Sequence, residues 1–222
     1  MSQSEPLRIS VVTEYSAIVR GLHAMLHRHE SRVMIVDQDL DGDNPRQVDI
    51  ALYDTFAQDQ GGTGEVARLA RHPRVGRVAV LTWNFDEELV QQALSRGASG
   101  YLARSLPAAA LVDALERVHR GETVVSTPTG HGQVAGEWPG REEALAPREA
   151  EVLALITQGL PNTVIAAQTH LSINSVKSYI RTAYRKIGVT SRSQAVLWGV
   201  RHGFEPDRRR HRPVGGATIA SL

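Results

Sequence analysis

The stretch 172–187, SINSVKSYIRTAYRKI, limits what this chain can fold into more than any other part of it. Ser172 is a favourable helix N-cap, and neither Pro nor Gly interrupts the run before Gly188. Val176, Ile180, Ala183 and Ile187 recur at helical spacing and share one face. Lys177, Arg181 and Arg185 form a row on the other face, with Ser178 and Thr182 beside them. A helix that buries one side and lines the other with short polar and cationic groups suits a DNA major groove. An ordinary solvated amphipathic helix has the same pattern, so its surroundings must decide.

Charge is the first of those surroundings. The net charge of +1 hides a division: residues 1–122 hold 13 Arg, no Lys and 17 acids, whereas residues 123–222 hold 12 Lys and Arg against 7 acids. An acidic half joined to a basic half implies separate modules, the second with a polyanion as partner. The chain has no cysteine, which excludes disulfides, thiolate chemistry and cysteine-ligated zinc. The opening MSQSEPLR is unlike a secretory signal, and no apolar stretch approaches the roughly 20 residues that span a bilayer. A soluble, cytoplasmic protein without membrane contact is expected.

In the first half, β-rich runs at 8–12, 33–36, 50–53, 78–81 and 100–103 are interleaved with helical patterns. The helical patterns follow the first run, with Ile18, Leu22, Met25 and Leu26 on one face, and later cover 64–71, 86–96 and 107–120. Such alternation predicts a doubly wound α/β fold around a parallel sheet of five strands. Function in such sheets gathers at the carboxyl ends of the strands. Those ends carry Thr13 and Glu14, then Asp54, Thr82 and Arg104.

The segments VVTEYSAIVRGL, DIALYD, VAVLTW and GASGYLAR, taken in order, resemble the flavodoxin-like receiver domain of two-component response regulators. The resemblance implies that Asp54 stands at the phosphoacceptor position, Thr82 at the hydroxyl that contacts the phosphoryl group, and Tyr101 at the aromatic switch. It also implies a Mg²⁺ site held by Glu14 and Asp54. Thr13 replaces the first of the family's two acids, and Arg104 replaces its Lys, with no lysine elsewhere in this half. Arg is a planar fork and not a compact point charge, so that exchange is not conservative. Trp83 stands where the family has a small residue, and its ring is placed to cover the approach to Asp54. Pro45 and a short interval leave little room for a second helix. A degenerate receiver is expected, with Asp54 held by Arg104 in a charge-assisted pair. The alternative is a conventional phosphorylation-activated regulator served by a histidine kinase; an unknown ligand is a further candidate for the input.

Two patterns imitate metal sites. DQDLDGDNPRQV begins like a calcium loop, but its twelfth position is Val48 where a bidentate Glu is required. His23 and His27 have zinc-ligand spacing, yet Ala24 stands where a metalloprotease has Glu, and no third ligand is identifiable. A solvated acidic loop and surface histidines are expected. A hydrolase built on the His and Asp residues of this half is a remote reading, lacking a nucleophile elbow, metal set or phosphate loop.

Residues 123–144 lose periodicity and are rich in Gly, Pro, Ser and Thr, so they read as a linker, with Trp138 as an aromatic anchor. Beyond it, Pro147 opens a helix with Glu149 and Glu151 in its first turn and a stripe of Val152, Leu155, Ile156 and Leu160. Asn162 is expected to cap a second helix, and Ser191 with Gln194 forms a capping box for a fourth. Four short helices with a tight turn before the third make a helix-turn-helix.

The run LAPREAEVLALITQGLPNTVIAAQTHLSINSVKSYIRTAYRKIGVTSRSQAV resembles the LuxR-type DNA-binding domain of NarL/FixJ-type response regulators. The resemblance implies that Lys177, Ser178 and Arg181 face base edges, and that Ser175, Thr182, Arg185, Lys186, Ser191 and Arg192 complete the DNA surface, largely at phosphates. It further implies a homodimer on an inverted-repeat site in double-stranded DNA, with Trp198 and Val200 either at the dimer contact or packed within the domain. The expected organisation is a receiver over 1–122, a linker over 123–144, an all-α four-helix domain over 145–204 and a basic, disordered tail over 205–222. The chain is expected to be a transcription regulator and not an enzyme.

Overall fold

The computed structural model describes residues 5–36, 47–58, 63–126 and 139–204. The acidic loop from Asp37, Pro45, Trp138 and the tail over 205–222 lie outside the described residues, as do the expectations attached to them. Strands β1 (Leu7–Val12), β2 (Val33–Ile35), β3 (Val48–Asp54), β4 (Val75–Thr82), β5 (Gly100–Ala103) and β6 (Val124–Val125) form one parallel sheet. Helices α1 (Ser16–Leu26), α2 (Thr63–Arg71), α3 (Glu87–Ser95) and α4 (Ala108–His119) connect them.

The strand order is β2-β1-β3-β4-β5-β6. The expectation of five strands is therefore corrected to six. The sixth escapes sequence reading because it has two residues, too few to show a period. It is held by Val124 N–H donating to Ser99 O at 2.9 Å and Ser126 N–H donating to Tyr101 O at 3.0 Å. Two residues assigned to the linker thus belong to the sheet.

Alternating strand residues feed two cores. Ile50 and Leu52 of β3 and Leu81 of β4 join Ile18 and Leu22 of α1 and Leu111 and Leu115 of α4 on one face. Ala51 and Tyr53 of β3 and Val78 and Val80 of β4 join Val66 and Leu69 of α2 and Leu89 of α3 on the other. Continuous burial over residues 50–54 of β3 and 78–82 of β4 is what a sheet covered on both sides requires. The chain direction across the sheet reverses between β1 and β3, so a crevice opens where Thr13, Glu14 and Asp54 emerge.

The second half forms α5 (Pro147–Thr157), α6 (Asn162–Thr169), α7 (Ile173–Ile187) and α8 (Arg192–Arg201). Pro147 occupies the first turn of α5, as its fixed φ and missing N–H favour. Asn162 is not the cap of α6: Pro161 is, without a side-chain bond, and Asn162 is the first helical residue. His170 ends α6 in a left-handed conformation at φ 51°, and that makes the sharp turn into α7. Ser172 caps α7 by accepting from Ser175 N–H at 3.0 Å, and Gly188 ends it at φ 70°, a conformation glycine adopts without the Cβ penalty. Gly199 of α8 lies against the Thr157 side chain of α5, which leaves no room for a Cβ.

Candidate nucleic-acid interface and receiver pocket

Helix α7 packs through Val176 and Ala183, both buried, with Ile180 and Ile187 half-buried beside them. Its opposite face is open. Lys177, Ser178, Arg181 and Arg185 are exposed, and none of the three cations has a partner among the described residues. Unpaired cations in a row on a rigid helix are available to bases and phosphates without first breaking an internal bond.

The rest of the expected DNA set divides. Ser191 is exposed and caps α8, accepting from Gln194 N–H at 3.3 Å while Gln194 Oε1 accepts from Ser191 N–H at 3.2 Å. Ser175 is half-buried and its hydroxyl lies 2.9 Å from that of Ser172. Thr182 donates to the Ser178 carbonyl at 3.1 Å. Lys186 is tied down, its Nζ 2.7 Å from Glu149 Oε2, so it links α7 to α5. Arg192 donates to Asn162 Oδ1 at 3.2 Å and to the Leu160 carbonyl, joining α8 to the start of α6. These two cations hold the helices together, a role their position in sequence did not announce.

In the crevice of the first half, Asp54 is fully buried. Arg104 Nε donates to Asp54 Oδ1 at 2.8 Å, and Nη2 closes on the same oxygen as an ion pair; the Arg104 side chain is 7% exposed. Thr13 Oγ1 donates to Asp54 Oδ2 at 3.2 Å. The guanidinium carbon lies 5.9 Å from the ring centroids of both Phe56 and Trp83, so aromatic faces flank the cation. Thr82 is engaged elsewhere: its hydroxyl accepts from Thr55 Oγ1 at 2.9 Å and from Asn84 N–H at 3.1 Å. Tyr101 is buried, donates to the Asn84 carbonyl at 2.8 Å and packs edge-on against Phe85. Burial pushes its phenol up to about 12.

This donor set does not fit Mg²⁺. Both Asp54 oxygens already accept hydrogen bonds, one of them from a fixed cation, and Thr13 supplies a neutral hydroxyl where an acid would be needed. Glu14 is half-buried and does not bond Asp54 among the described residues. In this arrangement a guanidinium supplies the positive charge beside the carboxylate. His23 and His27 are exposed, and His27 Nδ1 lies 2.8 Å from Glu30.

The sequence reading missed a set of residues between the halves. Gln158 Nε2 donates to Tyr15 Oη at 2.9 Å, and Ala57 N–H donates to Glu151 Oε1 at 3.4 Å. Glu151 is wholly buried and pairs with Arg148 at 2.6 Å. A signal was present: residues 150–156 of α5 are apolar on every side except at Glu151, and a helix apolar all round is a buried one.

Residues 143–198 match the family described as bacterial regulatory proteins, luxR family. The chain is 28% identical over 210 residues to the nitrate/nitrite response regulator protein NarL of Escherichia coli strain K12, covering 89% of this chain and 97% of that protein. Residues 143–198 thus carry a luxR-family domain, and the whole chain is similar to response regulators of the NarL kind. The response regulator protein VraR of Staphylococcus aureus strain Mu3 is 29% identical over 159 residues, 70% of this chain and 76% of its own. A solved structure of the RcsB response regulator of Salmonella typhimurium is 21% identical, covers 87% of this chain and 98% of that one, and has a TM-score of 0.43. The family match lies over helices α5 to α8, the part of the chain that carries the exposed cationic face. No helix among the described residues is long and apolar enough to cross a membrane.

Proposed function

We propose that this regulator binds an inverted-repeat promoter site as a homodimer, with Lys177, Ser178 and Arg181 reading bases, and that its output does not depend on phosphorylation of Asp54. The observation that carries the second half is the buried Arg104–Asp54 pair. Its geometry ties one carboxylate oxygen to a fixed cation and the other to Thr13, which lowers the nucleophilicity of Asp54, and Thr13 stands where a second metal-holding acid would be. Support for the first half is the unpartnered cationic face of α7. The first domain is taken to close at β6, which ends at Val125, and the helices of the second run from Pro147 to Arg201. For the dimer, Leu197 and Val200 of α8 supply exposed apolar surface. Trp198 instead packs inward, its ring stacked on His202 at 3.9 Å and 5.5 Å from Phe204. The partner that drives the input is a histidine kinase only if Asp54 accepts a phosphoryl group; otherwise it is a ligand or protein acting elsewhere on the chain.

The test has two arms. The full chain is incubated with acetyl phosphate and Mg²⁺ and weighed intact; no stable gain in mass is expected, and modification at Asp54 overturns the input reading. Separately, Lys177→Ala and Arg181→Ala each lose about 1–3 kcal/mol of specific binding to a duplex selected by the wild-type chain. Unchanged discrimination between that duplex and random DNA rules out base reading by these residues.

A further inference from the structure

Most of the short polar side chains of α7 are spent inside the chain. Ser172 Oγ accepts from Ser175 N–H at 3.0 Å and lies 2.9 Å from the Ser175 hydroxyl, so the cap of the helix consumes both groups. Thr182 Oγ1 donates its one proton to the Ser178 carbonyl at 3.1 Å. Ser175 and Thr182 therefore offer DNA less than their place in the sequence implied. Asn174 is different. It is the second residue of the helix and is exposed, and neither end of its amide has a partner among the described residues.

Its place on the helix matters as much as its freedom. At about 100° per residue, Asn174 stands about 180° from the buried Ala183 and within about 60° of Lys177, Ser178, Arg181 and Arg185. It thus occupies the middle of the open row, at the amino end of α7, and residues at that end contact base edges when a helix-turn-helix docks. Asparagine is a weaker helix former than alanine because its side chain competes for backbone hydrogen bonds. Here it makes no such bond: the capping is done by Ser172. Neither local stability nor packing accounts for an asparagine at this position.

The chemistry of the row divides. Lys177 and Arg181 can only donate, which suits the N7 and O6 acceptors of guanine. The Asn174 amide holds a donor and an acceptor side by side in one plane, which matches the N7 acceptor and N6 donor on the major-groove edge of adenine. Lys177 lies about 4.5 Å and Arg181 about 10 Å further along the helix axis, or about one and three base-pair steps of about 3.4 Å. We infer that Asn174 is a further base-reading residue, and that it fixes an adenine within about three base pairs of a guanine in the site this chain selects. The inference rests on the DNA-binding reading above and adds a base that the cations do not specify.

Selection from random duplexes with the full chain, followed by binding to the selected duplex, tests this. The wild type is expected to select an adenine at that spacing from a guanine. Asn174→Ala should fold as well as the wild type, because alanine is the stronger helix former. It should bind the selected duplex about 5- to 100-fold more weakly and accept any base pair at the adenine position, while the guanine stays required. The slope of log affinity against log salt should not change, because the amide is uncharged. Replacing the adenine by 7-deazaadenine removes its N7 acceptor and should weaken the wild type but not Asn174→Ala. Asn174→Asp keeps the shape, loses the donor and adds a negative charge, so it should bind more weakly still. A consensus with no adenine at that spacing, an equal loss on every duplex, or no loss at all overturns the assignment. The equal loss would place the amide at a phosphate, and no loss would leave it in solvent. A wild type that selects no sequence removes the DNA-binding reading itself, whereas a guanine-containing consensus indifferent to Asn174→Ala removes this inference alone.

Discussion

Arg104 replaces a compact ammonium with a broad planar cation, and the consequence is geometric. Its fork reaches a single oxygen of Asp54 with two nitrogens, while Phe56 and Trp83 flank its carbon. A buried pair of this kind gives little net stability over an apolar substitute, but removing one partner leaves a bare charge. Arg104→Ala should therefore cost about 3–5 kcal/mol in urea unfolding, and adding Asp54→Asn should recover most of it; a loss unchanged by the second substitution would show that the packing of the Arg104 stem matters more than its charge. Tyr101 supplies a pH dependence. Its phenol is pushed up to about 12 by burial, so the unfolded chain releases that proton first. The stability it contributes is complete below the ordinary value of about 10 and is lost as pH rises toward the folded value. Tyr101→Phe should flatten this part of the alkaline profile, seen as a smaller drop in denaturation midpoint between about pH 9 and about pH 11.

Among the elements, the helical half was the more legible. Pro147, the Ser172 cap, the Gly188 stop and the Ser191–Gln194 box all mark real helix ends, because capping is chemistry between residues a few positions apart. Ser191→Ala should destabilise the domain by about 1 kcal/mol in thermal or urea unfolding, and the same change at the exposed, uncapping Ser193 should cost much less. Lys186 and Arg192 show where such reading fails. Both stand in a basic run that looks uniformly free, and only the packing of α7 and α8 against α5 brings Glu149 and Asn162 within reach. The sixth strand was missed for a related reason: Val124 and Val125 become a strand only because β5 offers them an unpaired edge.

In the molecule as a whole, the charge division acquires a direction. The acidic half lies against α5 and the cationic row of α7 is open, so a polyanion approaching α7 meets unpaired Lys177, Arg181 and Arg185. Arg185 is read as a phosphate contact and not a base contact. Arg185→Ala should weaken binding to all duplexes alike and lower the slope of log affinity against log salt by about 1; a change in sequence preference instead would move Arg185 into the base-reading group.

Local order was open to inspection in the residues themselves: the alternation of strands and helices, the capped reading helix, and the presence at the strand ends of Thr13, Glu14, Asp54, Thr82 and Arg104. Periodicity and capping act over a few residues, so composition and spacing suffice to show them. Even the pairing of Arg104 with Asp54 could be anticipated, since the parallel strands of one sheet bring their carboxyl ends to the same edge. The covering of α5 could not. Glu151 reads as a first-turn acid favoured by a helix dipole, and Gln158 as a polar helix end; their contacts with Ala57 and Tyr15 span about a hundred residues or more of sequence. No local rule encodes such a meeting. It depends on two separately folded surfaces matching in shape and burying each other's apolar area, which only the packed molecule decides.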